Sequence, residues 1–343
     1  MAKQPRSKPT RTNGATRTAP APRVSEGAVS AGNGNGHPHD DDASVATEAG
    51  NGSAPAASAR LPVLKTYKIY VNGKFPRTES GRYYVLKSPS GSPLANVCLC
   101  SRKDFRDAVT AARNAQSSWA AKTAYNRGQI LYRIAEMLEG RTAQFVDELS
   151  QTGLATSIAK EEVVTSIDRV LYYAGWADKY QQVFSAVNPV SSSHFNFSLL
   201  EPTGVVSILA PEETGLIGLI STIIPAIVGG NTCIALASTA RPLPAVTLGE
   251  VLATSDLPGG VVNLLTGKRP ELLEHFATHM DVNACVYAGR DPAELTTVRT
   301  ASAGNVKRAI NYDREDWMTD DAQGPYFILD TQEVKTTWHP VGV

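Results

Sequence analysis

The sequence predicts an α/β fold in which helices cover both faces of a parallel sheet. Beyond residue 205 the strand-like runs are apolar throughout, and helical segments separate them. Strands buried on both faces give continuous apolar runs, whereas strands with one solvated face alternate apolar and polar residues. Alternation of such strands with helices indicates successive β-α-β units. We therefore expect the parallel sheet in the second half of the chain.

Composition limits the classes of function. The 343 residues are 42% hydrophobic, enough for one large or two medium domains. Lys plus Arg equals Asp plus Glu at 33 each, so net charge favours neither nucleic acid nor a membrane as partner. The four cysteines contain no CxxC pair, which predicts a reduced, cytoplasmic protein. No run reaches the roughly 18 apolar residues of a membrane span.

The first sixty residues differ from the rest. They contain no Leu, Ile, Phe, Tyr or Trp, so they bury too little apolar surface to offset the entropy lost on ordering. We expect a disordered N-terminal tail over residues 1–62. Its first third is basic, and Asp40, Asp41 and Asp42 follow. A flexible linker is the main interpretation, and contact of the basic third with RNA, a membrane or a partner is the alternative.

The first folded elements are extended. Apolar residues alternate over residues 67–71 and lead into Asn72-Gly73, a dipeptide typical of a two-residue β-hairpin turn. Residues 83–86 and 95–100 form a second extended region, interrupted by prolines and a glycine between them. A small β-sheet is therefore predicted ahead of the helices.

Helices follow this sheet. Asp104 is predicted to cap a helix whose apolar residues recur at helical spacing as far as Trp119. Residues 130–138 carry a second apolar stripe, and residues 163–180 are predicted to form a third helix. These helices lead into the parallel sheet.

The second half of the chain supplies the core of the fold. The strands are predicted at residues 195–200, 205–210, 232–236, 261–265 and 284–287. The helices between the last four strands are predicted at residues 216–228, 244–253 and 270–278. Folds of this kind bind ligands at the carboxyl ends of their strands, although architecture alone does not establish a function.

Several short motifs then appear in order. They are YVNG (residues 70–73), RGQIL (127–131), YYAGWADK (172–179), EPTGVV (201–206) and LPGGVVN (257–263). Together with shorter pieces between Lys65 and Asp291, they make the chain resemble the aldehyde dehydrogenase superfamily. The resemblance implies a Rossmann-like cofactor domain with small β oligomerisation strands.

The resemblance also implies a shortened protein. Residues 329–338 are similar to the last strand of the family, and only the 37 residues 292–328 separate them from the matched region. In full-length members this interval holds the catalytic domain. We therefore expect a truncated member lacking that domain. The predicted organisation is a tail (1–62), a cofactor domain (63–291, with oligomerisation strand 195–200), a shortened connection (292–328) and a C-terminal oligomerisation strand (329–343).

Aldehyde oxidation in this family requires a thiolate nucleophile, an amide that holds the oxyanion, a carboxylate base and a nicotinamide. The nucleophile is expected downstream of the sheet, but no cysteine follows Cys285. Cys285 and Cys233 fall in predicted strands, and Cys98 and Cys100 fall in the N-terminal sheet. We expect all four to be buried structural thiols. No catalytic residue is therefore predicted.

The other catalytic positions are also altered. Where the family has its oxyanion-binding asparagine, in a PWNFP stretch, this chain has PEETG at 211–215, with Glu213 in the place of the amide. A carboxylate only accepts hydrogen bonds, so it repels an oxyanion. Residues 300–305, which correspond to the general-base stretch, contain no acid. Glu212 and Glu213 could form a new acid-base pair, but solvated loop residues or partner contacts are the simpler interpretation.

The cofactor site is predicted to be vestigial. The resemblance leaves Ser238, Gly267 and Gly289 as the remaining cofactor-binding positions, with no metal site. We expect no cofactor, or NAD(P) if the pocket is retained.

Basic residues stand around these positions. Lys268, Arg269 and Arg290 could bind a different phosphate-bearing ligand. Alternatively, they are exposed residues tolerated in a pocket that lost its function.

These observations predict a catalytically inactive pseudoenzyme. Strands 195–200 and 333–338 bridge subunits in the family, and bare strand edges favour pairing with another chain. We expect a hetero-oligomer with a full-length, active aldehyde dehydrogenase, and no nucleic acid or membrane partner. The acidic residues 313–323 either cap the core or lie at an interface. An active NAD(P)-dependent aldehyde oxidoreductase and a stand-alone nucleotide or anion-binding module are the alternatives.

Overall fold

A computed structural model describes residues 63–342. The predicted tail, residues 1–62, lies outside the described residues. The chain first forms a three-stranded sheet of β1 (Thr66–Tyr67), β2 (Tyr83–Lys87) and β3 (Pro93–Cys98). The order is β1-β3-β2, with β3 parallel to β1 and antiparallel to β2.

The predicted hairpin turn is confirmed, but its first strand is shorter than expected. Asn72 and Gly73 both have positive φ angles, 53° and 72°, as a type I′ turn requires. Val71 and Lys74 exchange two backbone hydrogen bonds of 2.9 and 3.0 Å. Tyr70, just before the turn, exchanges backbone hydrogen bonds with Leu264. Leu264 belongs to the five-stranded sheet described below, so this segment joins the two sheets.

Five helices come next. They are α1 (Arg102–Ala120), α2 (Ala124–Glu139), α3 (Thr142–Gln151), α4 (Thr156–Trp176) and α5 (Tyr180–Phe184). Ser101, and not Asp104, is the N-cap of α1; Asp104 completes a capping box by accepting the Ser101 backbone N–H at 2.7 Å. The helix predicted over residues 163–180 is two helices, α4 and α5, and α3 was not predicted.

Two short strands of a second small sheet precede the main sheet. They are β4 (Ala186–Asn188) and β5 (His194–Pro202), which pair antiparallel. The main sheet and its helices then alternate along the chain as β6 (Val205–Leu209), α6 (Ile217–Val228), β7 (Thr232–Leu236), α7 (Leu243–Ala253), β8 (Val262–Leu265), α8 (Arg269–Thr278), β9 (Ala284–Tyr287), α9 (Pro292–Ala303) and β10 (Arg308–Asn311).

The predicted α/β class is confirmed. All five strands of the main sheet are parallel, in the order β10-β9-β6-β7-β8. Every residue of β6, β7, β8 and β9 is buried, which explains their continuous apolar sequences. The sheet continues beyond residue 291, because α9 and the edge strand β10 lie in the interval predicted as a shortened connection.

The last elements of the described residues are a 3₁₀ turn (Asp320–Ala322), α10 (Pro325–Leu329) and β11 (Gln332–Pro340). The strand predicted from Glu333 to Trp338 is confirmed. It pairs antiparallel with β5 along its whole length, from Gln332 opposite Pro202 to Pro340 opposite His194. The small sheet therefore has the order β11-β5-β4, and within the described residues the outer edge of β11 has no neighbouring strand.

Residues 312–329, here named the cap segment, cover α6. Trp317, Ala322 and Ile328 of this segment are buried in the same hydrophobic cluster as α6. All twelve residues of α6 are buried, including its side away from the sheet. The structure thus supports the first of the two predicted roles for residues 313–323, that of a cap.

A buried arginine of α4 anchors the cap segment. Arg169 is 1% exposed. It donates hydrogen bonds to the carbonyls of Ala322 (2.6 Å), Thr319 (3.0 Å) and Trp317 (3.2 Å), and to the hydroxyl of Ser221 on α6 (2.7 Å). Burial lowers the pKa of this guanidinium, and carbonyl oxygens compensate its charge.

Within residues 63–342, no helix combines the length and the apolar character that crossing a membrane requires.

Replacing Arg169 by methionine is expected to detach the cap segment. The carbonyls of Ala322 and Trp317 in buried hydrogen bonds, and that of Thr319 in a partly buried one, would lose their donor, at about 1–3 kcal/mol for each buried unsatisfied group. We expect the free energy of unfolding in urea to fall by about 3 kcal/mol or more, and trypsin to cleave after Arg314 faster than in the unmodified protein.

The matched control is Arg133→Met. Arg133 forms an exposed 2.8 Å ion pair with Glu136, and loss of such a pair changes stability by less than about 1 kcal/mol. An unchanged urea midpoint and unchanged cleavage for Arg169→Met would show that Arg169 does not hold the cap.

Candidate functional site

The candidate site is a cleft of about 350 Å³ at the carboxyl ends of β6 and β9. The chain runs from β6 to β7 and β8 on one side of the sheet and then crosses to β9 on the other, so β6 and β9 flank the topological switch point. Open α/β sheets bind their ligands at this place. The cleft lining includes four acids and two arginines, namely Glu212, Glu213, Asp291, Glu294, Arg269 and Arg290.

The predicted vestigial positions all lie at this edge of the sheet. Ser238 is buried; its hydroxyl donates to the Glu212 carbonyl at 2.9 Å and accepts the Arg241 backbone N–H at 3.1 Å. The Gly267 carbonyl accepts a hydrogen bond from the Thr239 hydroxyl at 3.0 Å. A Cβ atom on Gly289 would overlap the Arg269 guanidinium and the Tyr287 hydroxyl. A role for these three residues in cofactor binding stays a prediction.

Arg269 occupies the centre of this edge. It is 5% exposed, so the expectation of an exposed basic residue was wrong at this position. Its guanidinium lies 3.4 Å from a carboxylate oxygen of Glu212 and 3.4 Å from one of Glu294, and it also donates to the Ala210 carbonyl. We name Arg269, Glu212 and Glu294 the ion-pair cluster.

Both carboxylates of the ion-pair cluster have further partners. Glu212 accepts the Thr239 backbone N–H at 2.7 Å and the Thr239 hydroxyl at 3.2 Å. Glu294 accepts the Tyr287 hydroxyl at 2.9 Å. Burial, and then the Glu294 carboxylate, raise the pKa of Tyr287 to about 12. Sequence reasoning missed Glu294, although an acid in the first turn of a helix after a strand was a visible signal.

Glu212 and Glu213 do not form a common acid-base site. The Glu212 carboxylate points to Thr239 and Arg269, whereas Glu213 is exposed and pairs with Arg290 at 3.1 Å. The Glu212 side chain remains 37% exposed, so the two predicted roles of this pair, as solvated loop residues or as partner contacts, stay predictions. Each carboxylate is already held by donors of the same chain.

The N-terminus of α6 is closed by a second internal carboxylate. Glu162 of α4 is 3% exposed, and one of its oxygens accepts the backbone N–H groups of Gly215 (3.0 Å), Leu216 (2.7 Å) and Ile217 (3.1 Å). Free N–H groups at a helix N-terminus are a ready anion site. Sequence reasoning missed Glu162, because it precedes its partners by more than fifty residues.

The four thiols are buried, as predicted. Cys233 and Cys285 lie inside β7 and β9, and Cys98 and Cys100 lie at the end of β3 and just after it. Burial raises the pKa of all four thiols. A thiol nucleophile needs a lowered pKa and access to its substrate, and neither condition holds here.

The stretch that corresponds to the family's general base lies at the end of α9. Residues 300–303 form the last turn of α9 and residues 304–305 the loop after it. Glu315 follows β10, and its backbone carbonyl accepts a hydrogen bond from Arg290 at 3.2 Å. Burial, together with Asp313 and Asp321, raises the pKa of Glu315.

In the part of the chain that the structure describes, no three His, Cys, Asp or Glu side chains converge to hold a metal ion.

Comparison with known proteins defines the class. The fold is that of the cofactor domain of aldehyde dehydrogenases: the NAD⁺ complex of aldehyde dehydrogenase from Bacillus cereus superposes with a TM-score of 0.69 at 25% identity, over 72% of this chain and 50% of that one. The model of the aldehyde dehydrogenase family matches residues 75–311. The chain belongs to the aldehyde dehydrogenase family.

Curated relatives are longer than this chain. Cytosolic 10-formyltetrahydrofolate dehydrogenase of Xenopus tropicalis is 28% identical over 254 residues, which cover 72% of this chain and 28% of that protein. Omega-crystallin of Enteroctopus dofleini is 27% identical over 256 residues, 73% of this chain and 51% of that protein. The match thus spans about half the length of these relatives, or less.

The thiols are expected to be unreactive in the folded protein. Ellman's reagent at pH 8 should label none of the four cysteines of the native chain over the time in which it labels all four in guanidinium. The physical reason is that burial both excludes the reagent and disfavours the thiolate.

A Ser90→Cys variant is the control, since Ser90 lies on an exposed loop and should give one rapidly labelled thiol. Rapid native labelling of Cys233 or Cys285 would contradict the structural interpretation of these residues.

Proposed function

We propose that this chain is a catalytically inactive subunit that assembles in the cytoplasm with a full-length, active aldehyde dehydrogenase. The observation that carries the proposal is the burial of all four thiols in a chain that also forms the small sheet β11-β5-β4. Acyl transfer from an aldehyde needs an accessible thiolate. A subunit without one can still fold, pair and influence an active partner.

Two further features support the loss of chemistry. Glu213 stands where the family resemblance places an amide donor, and a carboxylate there opposes a developing oxyanion. Between β9 and β11 the chain forms α9, β10 and the cap segment, with no cysteine in any of them. The residues that reach the cleft are held by one another rather than directed at a substrate.

The small sheet supports the assembly part of the proposal. Alternate residues of β5 point to one face, so Phe195, Phe197 and Leu199 lie together with Val187 of β4, and they line an apolar cleft of about 340 Å³. Phe195 and Leu199 are both 47% exposed. We name these four residues the apolar face. Exposed contiguous apolar side chains are typical of protein contact sites.

The opposite face of the same sheet is polar at its centre. Asn188 donates to Asn196 at 2.6 Å and to Ser198 at 2.9 Å, and Ser198 lies 2.9 Å from the Thr336 hydroxyl of β11. This hydrogen-bonded row helps to fix the register of the three strands. The same face also carries the opposed pair Leu200 and Val334, and Trp338, whose ring contacts that of His194. The exposed apolar face favours docking of a partner, with strand addition at the outer edge of β11.

A full-length relative is the partner that best suits this surface. Strands 195–200 and 333–338 match the family's subunit-bridging strands, so the apolar face belongs to a surface that family members share. The match spans about half or less of the length of these curated relatives, and a full-length relative would also supply the missing nucleophile. A second copy of this chain would supply none.

The test is reconstitution from purified components. The tagged chain is expected to co-elute in size-exclusion chromatography with a purified full-length aldehyde dehydrogenase of its own host, at a fixed ratio. Phe195→Glu and Leu199→Glu should each weaken the complex at least tenfold, because a charge would be buried in an apolar contact.

Tyr125→Glu is the matched control, since Tyr125 is an exposed aromatic residue of α2 outside the small sheet and its replacement should leave the complex intact. Elution of the chain as a monomer or as a homo-oligomer in the presence of every host aldehyde dehydrogenase would refute the proposed assembly.

A further inference from the structure

Binding of a dinucleotide to a fold of this type has definite requirements. The pyrophosphate needs unpaired backbone N–H groups, commonly at a helix N-terminus after the first strand. Glycines must let the ligand approach the backbone, and hydroxyl or carboxylate groups must be available to the riboses. Each requirement can be compared with the residues that stand at the carboxyl edge of the sheet.

The helix N-terminus after β6 is not available. The three N–H groups of residues 215–217 already donate to Glu162, which is buried. A pyrophosphate could accept these bonds only by displacing the Glu162 carboxylate, and the two anions would repel each other if both stayed. These three N–H groups are therefore not free to bind an anionic ligand.

Arg269 forms part of the wall of the cleft. Its guanidinium lies against the backbone of Gly289, so this glycine leaves space for a side chain of the same protein rather than for a ligand. Glu212 and Glu294 neutralise the guanidinium from two sides. Of the ionisable residues that line the cleft, four are acids and two are arginines, which gives a formal charge of 2 − 4 = −2. Such a lining disfavours a pyrophosphate.

The residues at the ribose-binding position also form hydrogen bonds within the chain. Ser238, the one residue retained from the family's ribose-binding stretch, donates to the Glu212 carbonyl and accepts from Arg241. Thr239 bonds the Glu212 carboxylate through its backbone N–H and its hydroxyl. The residues present therefore do not fit NAD or NADP.

We infer that the carboxyl edge of the sheet no longer holds a dinucleotide and instead forms an internal structural element, in which Glu162 holds the start of α6 and the ion-pair cluster holds the loops around the cleft. The cluster joins the loop after β6 to the first turns of α8 and α9. This inference is separate from the proposed assembly, since an inactive subunit could retain its cofactor.

The first experiment uses the unmodified full-length chain. Isothermal titration calorimetry and thermal unfolding are measured with NAD⁺ and with NADP⁺, each up to 5 mM (roughly fivefold above the usual upper range for substrate affinity). The expected result is no saturable heat and no shift in Tm with either nucleotide. A saturable heat, or a Tm that rises with nucleotide concentration, would overturn the inference.

The second experiment tests the ion-pair cluster. Arg269→Ala leaves Glu212 and Glu294 without their cation, and the expected result is a Tm several degrees lower than that of the unmodified chain. Arg269→Lys keeps the charge but loses the guanidinium geometry and should give an intermediate Tm. Arg290→Ala, which removes the exposed pair with Glu213 and the exposed hydrogen bond to the Glu315 carbonyl, is the control and should leave Tm within about a degree.

An unchanged Tm for both Arg269 variants would overturn the structural role of the cluster. If Arg269→Ala does not fold, the Lys variant and the nucleotide titrations still decide the outcome. If the chain binds nucleotide and still co-elutes with its partner, this inference is rejected and the proposed assembly stands. If the chain neither binds nucleotide nor co-elutes with a partner, this inference stands and the proposed assembly is rejected.

Discussion

The burial of α6 is the constraint on which the rest of the structure depends. This helix is apolar around its whole circumference, and a helix of that kind must be covered on every side. The parallel sheet covers one side, and α4 with the cap segment covers the other. Because the cap segment comes from the interval between β10 and β11, residues of this chain close the hydrophobic core that the structure describes.

Helix α4 links this core to the candidate site through two buried charges. Glu162 and Arg169 are seven residues apart, which is about two helical turns, so both side chains lie on the face of α4 that meets α6. Glu162 accepts the N–H groups at the start of α6, and Arg169 donates to Ser221 of α6 and to the cap segment. The two charges do not pair with each other; each satisfies backbone groups. The same helix thus closes the anion position and holds the cap segment.

Sequence patterns predicted the buried strands best. The bounds of β7 and β9 are as predicted, because continuous apolar runs between turns leave few alternatives. Strand β10 escaped prediction because it lies at the sheet edge, where only Ile310 of its four residues is buried. The burial of Glu162, Arg169 and Arg269 could not be predicted, since charged residues are rarely buried and their partners lie far away in the sequence. The sequence therefore predicted which residues stand at the site, but not the ion pairs and hydrogen bonds that they form there.

The proposed loss of activity requires that no atom of this chain captures an aldehyde. Intact-mass spectrometry of the purified protein, acid-quenched at short times after mixing with NAD⁺ and a panel of aldehydes, tests this requirement most directly, because the quench traps a covalent acyl-enzyme that accumulates. A single unmodified mass is expected at every time point. An aldehyde-dependent acyl adduct, mapped by peptide analysis to any of the four cysteines, would contradict the proposed loss of activity.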